Sequence, residues 1–377
     1  MGRRRFFVFG YYGWRNVGDD AMLFALLEEL CRLDPEAEFS VLCSSEATIP
    51  SAAGGRTAFV RPTPLPVLRA ILKSSVFMIG GGTHIFDYGK RSRTPVILGR
   101  ILILMALSRL LGKKAVLMHN GIGPLSTRWG QLLGRWICGM AHCVVVRDGA
   151  SRRQLESWGL GGKTFQAFDL AALLKGSGGA AGDTAPRAGS GKVLGVSITP
   201  VYDIYFGASA KDNLLVEQVA AAVLGWLEGN PKWRVHLIVF KGLTKDHDVA
   251  ITEALRERMA ASGRVKVIDY DPDPRFVLEQ VAGCSAFVGM RYHSCLFAYL
   301  SGLPLLIIDY HAKCRALAQD IGLPGEAVVP LEEVLAGRLR EYLDSLQRDP
   351  FAFTAKLPVR EAREMAAEGV SWALRRC

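Results

Sequence analysis

No two cysteines of this 377-residue chain stand at C-x-x-C spacing, and no two histidines at the H-x-x-x-H spacing of a helix-borne zinc pair. Its eight cysteines fall mostly in apolar stretches, which excludes a disulfide framework and a zinc ribbon and favours buried reduced thiols. The seven histidines are scattered, so a bound metal is not expected. No organic cofactor is expected either. No basic run is interleaved with aromatics, and nucleic acid is therefore not an expected partner. A clean apolar run of the ~20 residues that a bilayer span needs is also missing. The longest apolar region, Val96–Leu111, is broken by Arg100 and Arg109. Arg3-Arg4-Arg5 before Phe6–Phe9 imitates a signal peptide, but the apolar run is short and enters a Gly/Asp-rich loop where a cleavage site would stand, so it reads as a first strand. A cytoplasmic protein is expected, with Val96–Leu111 as a segment able to touch the inner face of a membrane.

What is present is length, positive charge and alternation. A chain of this size is too long for one small core and suits two α/β domains. The formal net charge of +10 favours anionic partners, phosphorylated metabolites among them. Short β-branched or aromatic runs alternate with helical periodicity almost throughout, the pattern of parallel β-α-β units. Expected strands are 6–10, 39–43, 59–61, 76–79, 115–119 and 144–147, then 194–198, 235–240, 265–268, 287–288 and 305–308. Helices are expected between them, at 20–33, 67–73, 96–111, 130–140 and 150–158, then 213–227, 248–261, 275–282, 294–301 and 312–321. The stretch 176–192, dense in Gly, Ser and Ala, reads as a linker between a first domain (1–175) and a second (193–377). The tail 353–376 reads as helix crossing back onto the first domain. Two Rossmann-like domains with parallel sheets, facing a cleft, are the expected architecture.

Polar turns follow the expected strands. The first, Gly10-Tyr11-Tyr12-Gly13-Trp14-Arg15-Asn16-Val17-Gly18-Asp19-Asp20, departs from G-x-G-x-x-G, with Asp19 or Asp20 expected to cap the next helix. Its glycines offer N–H groups to an anion, with Arg15 and Asn16 as supplements, while Asp19 suits sugar hydroxyls. Gly80-Gly81-Gly82-Thr83-His84, with Asp87 soon after, is an anion nest or merely a tight crossover. His119-Asn120-Gly121 and Val146-Arg147-Asp148 close two further strands. In a parallel sheet such ends share one edge, where ligands bind.

The most informative turn is Gly289-Met290-Arg291-Tyr292-His293-Ser294. A fixed cation two residues from a side chain type that titrates near neutrality suits an anionic substrate needing proton transfer. The alternative is that Arg291 and His293 only cap the helix at Ser294, but an arginine there opposes the helix dipole.

Taken in order, Gly10-Tyr11-Tyr12-Gly13…Asn16-Val17-Gly18-Asp19, Gly80-Gly81-Gly82, Gly121-Ile122-Gly123-Pro124, Val146-Arg147-Asp148 and Gly289-Met290-Arg291-Tyr292-His293 resemble the polysaccharide pyruvyl transferase family. The resemblance implies a two-domain fold like that of GT-B glycosyltransferases. It implies transfer of pyruvate from phosphoenolpyruvate, as a cyclic ketal, onto two hydroxyls of a sugar in cell-surface polysaccharide biosynthesis. The acceptor would lie on the first domain and the donor on the second. Arg291 and His293 fall on the family's R-x-H positions, which imply a phosphoenolpyruvate clamp and a proton-transfer group. Asp87 stands where members often have an acid, which implies a sugar contact or base. One departure stands out. Members often carry S-x-R-P after the first strand of the second domain, whereas this chain reads Ser197-Ile198-Thr199-Pro200. Lys241, Arg147 or Lys313 would have to replace that arginine, or the donor differs.

His293 is thus the expected acid/base, Asp87 the expected base for the attacking hydroxyl and Arg291 the donor clamp. Arg15, Asn16, Asp19, Gly81, Gly82, Thr83, His119, Asn120, Arg147, Ser294 and Lys313 are the further expected substrate contacts. The acceptor is a sugar, with nucleotide- and lipid-linked forms both open. Two rivals stand beside this reading: a GT-B glycosyltransferase using a nucleotide sugar, for which Glu279 or Glu326 would contact the nucleoside, and a non-catalytic sensor of sugar phosphates.

Overall fold

A computed structural model of the chain describes residues 3–44, 47–87, 93–176, 192–206, 208–242 and 248–377. Except for its two ends, the expected linker 176–192 lies outside them. The chain divides into two compact units. Unit 1 comprises Met1–Trp14, Asp19–Leu174 and Arg360–Cys377, and unit 2 comprises Arg15–Gly18 and Lys175–Val359.

Unit 1 is built on eight parallel strands: β1 (Arg5–Tyr12), β2 (Glu38–Cys43), β3 (Thr57–Val60), β4 (Val76–Ile79), β5 (Gly82–Ile85), β6 (Lys114–Ile122), β7 (Cys143–Val146) and β8 (Thr164–Gln166). Their order is β3-β2-β1-β4-β6-β7-β8, with the short β5 paired to β6. Helices α1 (Val17–Leu33), α2 (Ser51–Gly54), α3 (Pro64–Lys73), α4 (Arg93–Leu110), α5 (Arg128–Met140) and α6 (Gly149–Ser157) connect them. The β-residues Phe7, Phe77, Leu117 and Val144 face one core that also holds Ala70 and Ile71 of α3, Leu98, Ile101 and Met105 of α4, and Leu133 and Ile137 of α5. Three helices therefore lie side by side on one face of the sheet, driven there by apolar residues at helical spacing.

Unit 2 has six parallel strands, β9 (Val193–Ser197), β10 (Arg234–Ile238), β11 (Val265–Ile268), β12 (Ala286–Gly289), β13 (Leu305–Asp309) and β14 (Val328–Pro330), in the order β11-β10-β9-β12-β13-β14. Its helices are α7 (Val201–Phe206), α8 (Ser209–Glu228), α9 (Asp248–Met259), α10 (Pro274–Ala282), α11 (Tyr292–Leu300), α12 (Ala312–Asp320), α13 (Leu331–Leu335) and α14 (Leu339–Arg348). The chain winds outward from β9 in one direction to β10 and β11 and in the other to β12 and β13. The carboxyl ends of β9 and β12 consequently flank a topological switch point, where open parallel sheets bind ligands.

The last helix, α15 (Val359–Leu374), returns to unit 1. Trp372 stacks on Phe165 with ring centroids 5.3 Å apart, and Arg363 Nε donates to the carbonyl of Ala172 at 3.2 Å. Gly369 has no Cβ because one would stand 2.7 Å from both Ala167 Cβ and His119 Nε2.

The elements missing from the sequence reading are mostly short. β5, β8 and β14 are three or four residues long, too brief for a period to register, and α14 was overlooked. Helix α1 begins at Val17, so Asp19 and Asp20 lie inside its first turn and neither is the N-cap. Asp20 Oδ1 instead accepts from the Gly13 amide at 3.0 Å, folding the loop back on the helix.

Candidate functional site

In unit 2 the switch point gathers Arg291, His293 and Ser294, the residues of the most informative turn. β12 ends at Gly289, where an added Cβ would sit 2.7 Å from Cys295 Sγ and 3.0 Å from Ser294 Oγ, so only glycine lets the strand run so close to the next helix. Arg291 holds the N-cap position of α11 but makes no side-chain cap, whereas Ser294 Oγ donates to the Arg291 carbonyl at 2.8 Å. The Arg291 guanidinium turns elsewhere. Its Nε donates to Asp248 Oδ1 at 2.7 Å and to Oδ2 at 2.6 Å. Asp248 opens α9, its side chain has no exposure, and its Oδ2 also accepts from the Lys241 amide at 3.0 Å and the Phe240 amide at 3.3 Å. A buried carboxylate satisfied by one guanidinium and two backbone amides is a rigid mount for a cation. The capping reading of Arg291 is set aside by this geometry.

His293 stands in the first turn of α11, with its ring edge-on to Tyr292. Its other neighbour comes from far away in sequence. The segment Arg15–Gly18 lies antiparallel beside the chain leaving β10: Asn16 bridges Lys241, the Val17 amide donates to the Phe240 carbonyl at 3.0 Å, and the Gly242 amide to the Arg15 carbonyl at 2.9 Å. Arg15 adopts φ of 52°, a left-handed conformation, and its guanidinium lies 5.7 Å from the Tyr270 ring centroid. Gly18 then rests against the imidazole so closely that a Cβ would fall 1.9 Å from His293 Nδ1. The glycine of Asn16-Val17-Gly18-Asp19 is thus a seat for His293.

Thr199, at the position of the departure, is buried beyond the end of β9, and neither its hydroxyl nor that of Ser197 has a hydrogen-bond partner among the described residues. Lys313 lies in the first turn of α12, where its amide donates to His311 Nδ1 at 3.2 Å. Burial, with Lys313 adding to it, pushes the His311 pKa down to about 4, so this ring is neutral at pH 7. Lys241 and Lys313 both belong to unit 2, as Thr199 does.

The expected residues of unit 1 divide differently. Gly82, at φ of 119°, approaches Asp19, whose Oδ1 would be 3.4 Å from an added Cβ. Arg147 is 5% exposed and is held by Asp169 Oδ2 at 2.7 Å and Thr83 Oγ1 at 2.9 Å. It ties the end of β7 to β5 within unit 1. His119 and Asn120 are wholly buried. Asn120 Nδ2 donates to the carbonyls of Ile79, Gly80 and Met118, stitching β6 to the end of β4. His119 shares a hydrogen bond of 2.6 Å with the Phe168 carbonyl, and burial drives its pKa down to about 4. These three residues hold the sheet edge together and are not surface contacts.

Asp87 also departs from its expected role. Its Oδ2 accepts from the Ser126 amide and hydroxyl and the Thr127 amide, and its Oδ1 from the Thr127 hydroxyl at 2.7 Å. Partial burial alone would raise its pKa, but these donors outweigh it and the net shift is downward. A carboxylate so satisfied is a weak base; it clasps the turn that leads into α5. Asp248 was the residue that sequence reasoning missed. Its signal was present only as a first-turn acid of an expected helix, 43 positions from the arginine it holds.

Among the described residues no group of three or more His, Cys, Asp or Glu is placed to hold a metal ion. A search of curated proteins for sequence relatives gives no match. Solved structures do resemble the chain. The UDP-GlcNAc 2-epimerase from Methanocaldococcus jannaschii superposes with a TM-score of 0.65 at 9% identity, covering 99% of this chain and all of the other. The Neisseria meningitidis UDP-GlcNAc 2-epimerase, bound to UDP-GlcNAc, gives 0.62 at 10% identity with the same coverage. Anabaena Alr3699/HepE, in complex with UDP-glucose, gives 0.59 at 12% identity, again covering 99% of this chain and all of the other. At such identities the likeness concerns the fold, which is GT-B-like. The profile of one family, polysaccharide pyruvyl transferase, matches residues 16–312, which include Asn16-Val17-Gly18-Asp19, Asp248 and Arg291-Tyr292-His293. The chain belongs to the polysaccharide pyruvyl transferase family, and it is a transferase.

Proposed function

We propose that the protein moves pyruvate from phosphoenolpyruvate onto two hydroxyls of one sugar, closing a cyclic ketal and releasing phosphate. The observation that carries this reading is the mounted cation beside an imidazole: Arg291, fixed by Asp248, two residues before His293, which is seated on Gly18.

Phosphoenolpyruvate bears a phosphate and a carboxylate on its enol. Protonation at C3 makes C2 electrophilic, because positive charge develops there as an oxocarbenium-like centre. His293 is assigned the proton donated to C3. Arg291 is assigned an anionic group of the donor, for which a planar guanidinium is matched in shape and charge. One sugar hydroxyl then attacks C2, and the second displaces phosphate from the same carbon. Two hydroxyl protons leave in all, one replacing that spent on C3 and the other carried off with phosphate. The weakened basicity of Asp87 argues against it as the group that takes a hydroxyl proton.

A second reading has its own support. Structural neighbours hold UDP-glucose or UDP-GlcNAc, and Thr199 stands where an anion contact was expected. A nucleotide-sugar donor would fit both. Thermal unfolding of wild type and Arg291→Ala with phosphoenolpyruvate, UDP-sugars and GDP-sugars separates the two. A ligand at 100 times its Kd stabilises by about 2.7 kcal/mol. Phosphoenolpyruvate should raise the Tm of wild type and not of Arg291→Ala. A rise with nucleotide sugars alone would transfer the assignment to the glycosyltransferase reading.

A further inference from the structure

We propose that the outer face of α3, α4 and α5 in unit 1 is a docking surface for an anionic phospholipid bilayer, on which the protein lies without spanning it. The three helices cover one face of the sheet, because their inward residues join a single core. Their outward sides therefore look the same way, and they carry large apolar side chains. Leu65 and Leu72 of α3, Ile103 and Leu110 at the middle and end of α4, and Trp129 and Trp136 of α5 are each at least half exposed, Leu110 by 86%. A water-facing helix normally presents polar residues outward, and large apolar groups gathered on one face mark an interaction surface.

Charge identifies the partner. Helices α3, α4 and α5 contain seven Lys or Arg, all exposed, and no Asp or Glu. The bias extends beyond them. Residues 47–147 hold fourteen Lys or Arg against one acid, Asp87, whose carboxylate is committed to Ser126 and Thr127. The excess in this segment is larger than the +10 of the whole chain, so the remaining residues are net acidic. A second copy docking through the same face would set seven cations against seven, an arrangement that repels. Nucleic acid matches the charge but leaves the leucines and Ile103 unused. A bilayer with anionic headgroups satisfies both features: basic side chains meet the headgroups, aliphatic ones enter the acyl boundary, and tryptophan suits the level between. No helix among the described residues is long and apolar enough to cross a membrane, which agrees with lying on it. The proposal is independent of the donor assignment.

The test is co-sedimentation of the full chain with vesicles of phosphatidylcholine alone or mixed with phosphatidylglycerol, at low and high salt. Wild type should bind the mixed vesicles at least tenfold more tightly than the neutral ones, and salt should erase most of the difference. Trp129→Ser with Trp136→Ser should lower binding to mixed vesicles at least tenfold. Arg100→Glu with Arg135→Glu should remove the preference for phosphatidylglycerol. All four positions are exposed, so the Tm of each variant should stay near wild type, and thermal unfolding checks this. Equal binding to both vesicle types, or no binding to either, would overturn the proposal. So would a concentration-dependent dimer that the tryptophan variant dissolves, or retention on single-stranded RNA stronger than on mixed vesicles.

Discussion

The Nε of Arg291 sits between the two oxygens of Asp248, at 2.7 and 2.6 Å, and that carboxylate is held in turn by the amides at the end of β10. The cation of the site is therefore positioned by a strand two places away in the sheet. Asp248→Ala leaves Arg291 without its buried partner and should cost about 3–5 kcal/mol of stability, read in urea unfolding. Asp248→Asn keeps the shape but not the charge. It should raise KM for phosphoenolpyruvate tenfold or more with a smaller change in kcat. An Asn variant with wild-type KM would remove Asp248 from the positioning of Arg291.

Gly18 makes a second kinetic prediction. A methyl group there overlaps the His293 ring, and the ring must move. Gly18→Ala should lower kcat at least tenfold. In a double-mutant cycle with His293→Ala the two losses should not add, because both act on one group. Additive losses would mean that Gly18 matters for some other reason.

Arg147 is expected to behave as a structural cation. With Asp169 wholly buried beneath it, Arg147→Met strands a carboxylate and should destabilise by about 3–5 kcal/mol. The double variant with Asp169→Leu should recover part of that loss. In whatever fraction of Arg147→Met remains folded, the thermal shift given by phosphoenolpyruvate should persist. A well-folded variant that has lost the shift would return Arg147 to the ligand.

The buried His119 predicts a pH dependence. Its folded pKa, about 4, lies below the ordinary 6.5, so the unfolded chain takes up the proton first. The stability tied to the neutral ring is complete above pH 6.5 and declines as pH falls from 6.5 towards 4. The full loss is about 3 kcal/mol. Tm measured against pH should fall more steeply over that window in wild type than in His119→Asn. Parallel curves would show that the ring is not buried neutral.

Much of the fold could be read from local pattern. Val76–Ile79 is a continuous apolar run between turn signals and Val265–Ile268 a β-branched run interrupted only by Lys266, and both strands match the expected bounds. The polar strand ends could be read for the same reason. What could not be read was partnership at a distance. The sequence places Arg291 and His293 together but gives no hint that Asp248 holds one and Gly18 seats the other. Asp87 and Arg147 illustrate the converse. Each is a charged residue at a strand end, the pattern that suggests ligand contact, yet each is consumed by neighbours, Ser126 and Thr127 in one case and Asp169 and Thr83 in the other. Residue type at a strand end indicates a site; the hydrogen bonds decide whether the group belongs to the ligand or the scaffold. The exposed face of α5 was missed differently, since Trp129 and Trp136 have the spacing of a core stripe and the core lies on the opposite side.

The return of α15 to unit 1 sets an order on synthesis. Domains ordinarily fold as they leave the ribosome, the first before the second. Here Trp372 packs on Phe165, and Gly369 closes over His119 and Ala167, so the first unit waits for residues translated after the whole of the second. Until they emerge, the β8 edge and the His119 ring lack their cover. A nascent chain halted before residue 360 would carry a unit 1 that pulsed proteolysis cuts and a unit 2 that it spares.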